Sequence, residues 1–157
     1  MALSLDPVRS PSAAQPARAL PRLVRLGAAL LGIAWNLFGI VQFLRTVGVP
    51  ATEFVARGMT ESQAALVAGL PLWMDLAFAI GVGGGLLGSI ALLVFHRAAS
   101  PILAVSTVAY AALFVGDAIH GLFDALPGQL AILSTVVLIA VALWAVALRV
   151  RRDMPLR

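Results

Sequence analysis

The run from Pro71 to Ser89, PLWMDLAFAIGVGGGLLGS, admits few folds. It is apolar apart from Asp75 and Ser89, and it holds five glycines, Gly81, Gly83, Gly84, Gly85 and Gly88. In a water-exposed helix each glycine costs about 1 kcal/mol relative to alanine. In a bilayer the backbone has no water to turn to, so a helix persists there, and bare backbone lets other helices approach closely. The run reads as a transmembrane helix with a packing face.

Composition extends this reading to the whole chain. Of its 157 residues 61% are apolar and 11% charged, against about 25% charged in soluble domains. That length holds three to five spans of about 20 residues in one domain. Cysteine is absent, which excludes thiol chemistry, disulfides and cysteine-held metals or clusters. All 11 basic residues are arginine, so no lysine can form a Schiff base. Arginine without lysine, in an Ala-, Gly- and Leu-rich chain, is the usage of a GC-rich bacterial genome. The net charge of +4 sits beside the apolar runs and so does not point to nucleic acid.

Residues 1–22 carry Pro7, Pro11, Pro16 and Pro21 among Ser, Ala and Arg, with no apolar period. They read as a disordered basic tail. The next apolar run, 26–44, is longer than a signal-peptide core and lacks a small-x-small cleavage site after it, so it reads as a retained first span. Three more spans follow at about 71–95, 101–123 and 129–148. The expected fold is all-α, a four-helix transmembrane bundle over 23–150, ending in a basic tail at 151–157. In the long loop, Thr60-Glu61-Ser62-Gln63 fits a capping box and predicts a short interfacial helix near 61–69.

The arginines orient the bundle. Arg9, Arg18, Arg22, Arg25, Arg97, Arg149, Arg151, Arg152 and Arg157 fall on one side. Arg45 and Arg57 fall on the other, beside Glu53, Glu61 and Asp124. Both termini are therefore expected in the cytoplasm, the long loop outside, and the chain in a bacterial inner membrane.

Gly83-x-Gly85-x-x-Gly88 matches a dinucleotide fingerprint, but that motif needs a strand before it and a soluble βαβ unit around it. The membrane reading is overlapping small-xxx-small rows, made by Ala77, Gly81, Gly84, Gly85, Gly88 and Ser89. They suit packing against span one, which offers Ala28, Gly32 and Gly39, or span three; the alternative is a homo-oligomer seam.

Polar residues at membrane depth are costly and count as site candidates. At about 1.5 Å per residue, Asn36 and Tyr110 lie near the midplane, and Gln42, Asp75, Asp117 and His120 in the outer half. Tyr110, Asp117 and Asp124 are seven apart, with His120 between the two acids, so one stripe of span three carries them. An Asp–His pair there can hold a proton. The functional reading is an outward pocket lined by Asn36, Gln42, Asp75, Asp117 and His120. The structural reading is that Asp117 and His120 satisfy each other, and that Asp75 sits in solvent at a favourable helix start. A metal would draw on Asp75, Asp117, His120 and Asp124, a poor zinc set with one His and no Cys. His96 and His120 fall on opposite sides, too far apart for one haem. No cofactor is expected, and no nucleophile–base arrangement marks an enzyme. Trp73 and Trp144 fit interfacial belts, whereas Trp35 lies deeper beside Asn36.

Trp35-Asn36-x-x-Gly39, Thr46, Met59-Thr60, Pro71-x-Trp73, Ala79-x-Gly81-Val82-x-Gly84-Gly85-x-x-Gly88-Ser89, Arg97 and Ser106 carry a resemblance. Over about 35–106 the chain resembles a group of small four-span bacterial inner-membrane proteins, some loosely labelled sugar transporters. That group often has Asp-Tyr where this chain has Gln42-Phe43, and an apolar residue where it has Asp75. The resemblance implies that Asp75 stands in as the outer-half carboxylate, facing Gln42. The expected function is a transporter-like or solute-binding membrane protein, in contact with lipid and oligomeric through the glycine face. The alternative is a non-catalytic membrane subunit or scaffold.

Overall fold

The computed structural model describes residues 20–94 and 97–153. Most of the N-terminal tail, His96 and Arg157 lie outside the described residues. The described residues are mostly helical and include no strand. Its elements are α1 (Arg22–Thr46), α2 (Ala51–Ala56), α3 (Glu61–Ala68), α4 (Leu72–Leu93), α5 (Ala99–Ile119), α6 (Leu122–Ala125) and α7 (Gln129–Arg152). Four of these, α1, α4, α5 and α7, are long and apolar enough to cross a membrane.

Each boundary has a local cause. Pro50 and Pro71 precede α2 and α4 in extended conformation, since a proline has no amide hydrogen for the helix to miss. Thr60 starts α3 through a complete capping box: its Oγ1 accepts from the Gln63 amide at 3.3 Å, and Gln63 Oε1 accepts from the Thr60 amide at 3.1 Å. The six-residue helix α2 has no counterpart in the sequence reading; Pro50 before Ala51-Thr52-Glu53 is the signal that marks it.

The third span ends earlier than its apolar run. His120 closes α5, and Gly121 follows with φ of 73°, a left-handed conformation that costs a side-chain-bearing residue energy. Leu122 to Ala125 then form a separate turn, so Asp124 is not on the helix that carries Asp117.

The four long helices are arranged in the order α1, α4, α5, α7. Helix α4 packs along both α1 and α5, and α5 along α7, whereas α1 and α7 meet over a shorter length. At the end that carries the termini, Ala29, Leu92, Ala99, Leu103, Leu143, Ala147 and Val150 make an apolar core from all four. A smaller cluster of Val82, Tyr110 and Ala140 fills the middle. At the other end, the loop end, the ring of Phe43 meets that of Phe78 edge-on, 5.5 Å between centroids. The outward faces carry Leu31, Leu44, Leu87, Val108, Ile119 and Leu138, all more than half exposed, as suits a surface against hydrocarbon.

The small residues of α4 face inward. A Cβ on Gly81 would meet the Tyr110 ring at 2.7 Å, and one on Gly88 would meet Leu103 Cγ at 2.5 Å. On Gly84 it would press on Ser106 Cβ at 3.2 Å, and on Gly85 it would overlap the Asn36 amide. Ala77 and Ser89 are buried on the same side. Gly83 has open space beside it. The row is thus occupied from within the chain, by α1 on one flank and α5 on the other.

Candidate functional site

The polar residues of the bundle form two groups at different depths. The first is central. Tyr110 on α5 donates its hydroxyl to Asn36 Oδ1 on α1 at 3.2 Å, and Asn36 Nδ2 donates to the Gly32 carbonyl one turn back at 2.8 Å. Both side chains are buried. They meet across α4 because Gly81 and Gly85 leave room for them. Beside them, Ser106 Oγ donates to the Gly81 carbonyl at 2.7 Å, tying α5 to α4. A cavity of about 10 Å³ opens here, lined by Trp35, Asn36, Ser106, Tyr110 and the α7 residues Val136 and Ile139 among others. That is room for about one water.

The second group lies at the loop end. Gln129 Nε2, in the first turn of α7, donates to Asp117 Oδ2 on α5 at 2.6 Å. Asp117 is only 2% exposed although α5 ends two residues later. No hydrogen bond joins His120 to it. The His120 Nδ1 lies 2.9 Å from the Gly116 carbonyl, so that nitrogen carries the proton and donates. The His120 ring also lies 6.4 Å from the Trp73 ring, between centroids. Gly116 makes this possible, for a Cβ there would strike Trp73 Cη2 at 2.6 Å.

The five residues expected to line one pocket therefore stand in separate settings. Asn36 belongs to the centre, with Tyr110. Asp117 and His120 share the loop end but use different partners. Asp75 is half-buried in the first turn of α4, and Gln42 is exposed on α1 with no hydrogen bond to Asp75. Asp124 is exposed on α6. Among the described residues no three His, Asp or Glu side chains gather as a metal would require.

One residue matters that sequence reasoning did not single out, and another has a second role. Gln129 is the first; its signal is an amide residue placed just after Gly128, at the start of an otherwise apolar span. Gln63, expected from the sequence as the close of the capping box, is the second. While its Oε1 completes the α3 cap, its Nε2 donates to the Ala125 carbonyl on α6 at 2.7 Å.

The arrangement can hold a carboxylate out of solvent beside an amide donor, near the loop end of an apolar bundle. That suits binding a proton or a small polar group. No protein-family model, curated protein or solved structure matches this chain.

Proposed function

We propose that the chain is a multi-pass protein of the bacterial inner membrane, both termini in the cytoplasm, and that it binds a small polar solute or a proton at its loop end in a transporter-like role. Asp117 carries the reading. A carboxylate inside an apolar bundle is expensive, and an amide at the same position could accept the Gln129 hydrogen bond without that expense. Its presence favours a task that needs an ionisable group. The arginine-rich terminal end supports the orientation. The resemblance to small four-span proteins, some labelled sugar transporters, supports the class of activity.

A deletion strain grown across a panel of solutes tests this, followed by complementation with the wild-type gene and with Asp117→Asn. Loss of complementation, with the variant still present in the membrane, supports the reading. Full complementation by Asp117→Asn removes it.

The second reading is a non-catalytic membrane subunit. It is favoured by the central contact between Asn36 and Tyr110, which joins two helices and leaves space for only one water. On that reading Asp117→Asn leaves growth unaltered.

A further inference from the structure

Helices α2 and α3 form a small unit set apart from the four long ones. They pack on each other, and the backbone of the pair approaches the rest of the chain at α6. Phe54 on α2 and Ala64 on α3 are both buried. The unit is bounded by Gly48, with φ of 72°, and by Gly69 before Pro71.

Two side chains fasten this unit, and both reach a carbonyl at the end of another helix. Arg57 Nη1 donates to the Arg45 carbonyl of α1 at 2.6 Å. Gln63 Nε2 donates to the Ala125 carbonyl of α6 at 2.7 Å. Terminal carbonyls lack partners within their own helix, so each makes a ready acceptor for a donor from outside. Helix α6 is the turn between Asp117 on α5 and Gln129 on α7. Helix α6 packs against both α5 and α7, so whatever moves α6 acts on the two helix ends that hold that pair.

We infer that α2 and α3 act as a lid over the loop end, and that the bond from Gln63 to Ala125 is its latch. Released, the lid lets α6 swing outward and admits water to the bond between Asp117 and Gln129. The role of that bond rests on the proposed function; the motion of the lid does not.

The chemistry of Gln63 makes the latch separable from the helix cap. Its oxygen serves the cap and its nitrogen serves the latch. Gln63→Glu keeps an oxygen for the Thr60 amide, since Glu suits a capping box as well as Gln does. It removes the donor to Ala125. Gln63→Ala removes both.

The chain has no native cysteine, so a single introduced one reports cleanly. Leu122→Cys, at a buried position on α6, is treated with a water-soluble maleimide in the full-length protein in lipid nanodiscs. Leu92→Cys, buried at the terminal end, is the control. Gln63→Glu is expected to raise the labelling rate at position 122 by roughly fivefold or more, as loss of one hydrogen bond implies, with position 92 unchanged. No rise at 122, an equal rise at both positions, or a rise with Gln63→Ala but not with Gln63→Glu would each overturn the lid. The readout needs no solute, so it stands or falls apart from the growth phenotype.

Discussion

The side chain of Asn36 lies where Gly85 would carry its own, so that a Cβ on Gly85 would overlap the Asn36 amide. One residue is bare because the other, 49 positions earlier in the chain, fills its place. Gly85→Ala must push Asn36 aside and strain its bond to Tyr110. Overpacking of this kind typically costs about 1–3 kcal/mol. Gly83→Ala, two residues away with open space beside it, is expected to be neutral or slightly stabilising. Unfolding of both variants in mixed detergent micelles measures the contrast. Equal effects would mean that packing does not decide between them.

The hydrogen bond between Asn36 and Tyr110 is expected to contribute modestly. Double-mutant cycles on interhelical pairs average about 0.6 kcal/mol and reach about 1.7. A cycle of Asn36→Ala and Tyr110→Phe should return a coupling in that range. A coupling near zero would mean that the 3.2 Å contact gives no net stabilisation.

At the loop end, Asp117→Asn retains an oxygen for Gln129 Nε2 and should leave the unfolding midpoint close to wild type. Asp117→Ala leaves the half-buried Gln129 amide without its acceptor, at about 0.5–1.5 kcal/mol for the lost hydrogen bond. The same unfolding assay ranks the two. Wild-type stability in Asp117→Ala would show that the amide finds another partner.

Besides lying over the Phe54 ring, 5.7 Å from its centroid, the Arg57 side chain makes two polar interactions of unequal weight. Its ion pair with Glu53 spans 3.1 Å between side chains 39% and 54% exposed, and such pairs contribute about 0–1 kcal/mol. Its bond to the Arg45 carbonyl is also favoured by the negative end of the α1 dipole. Glu53→Gln is therefore expected to leave stability within about 0.5 kcal/mol. Arg57→Gln should cost about 1 kcal/mol more, being a hydrogen bond to a charged group. Proteolysis of the loop between α1 and α4 reads both: faster cleavage in Arg57→Gln, and little change in Glu53→Gln.

The fold was legible because apolar length announces a membrane helix without help from tertiary contacts. Four such runs were visible, and four long helices are present. The capping box at Thr60 was legible for the same reason, being a contact among neighbours in sequence. Depth could also be counted along each span. What could not be counted is the direction in which a side chain points. Helix α1 buries Ala29, Gly32 and Asn36. Gln42 comes six residues after Asn36, about 120° around the helix from that stripe at 3.6 residues per turn, and it is exposed. On span three, the spacing of seven from Asp117 to Asp124 assumes a continuous helix. Gly121 breaks it, although Leu122 and Phe123 prolong the apolar run and conceal the stop. The partner of Asp117 lies on the next helix, and no local pattern links position 117 to position 129.

The order of the helices has a bearing on how the chain is made. Synthesis runs from the N-terminus, so α1, α4 and α5 exist before α7 does. Asn36, Gly85 and Tyr110 are then all present, and the central contact can close with three helices. Asp117 cannot yet meet Gln129, which arrives with the last span. During that interval the carboxylate stands without its amide, and α7 has yet to pack along α5 and, over shorter lengths, against α1 and α4. The last helix is thus drawn to its place partly by an unmet polar group, and a nascent chain stopped before residue 129 should keep its centre while its loop end stays wet.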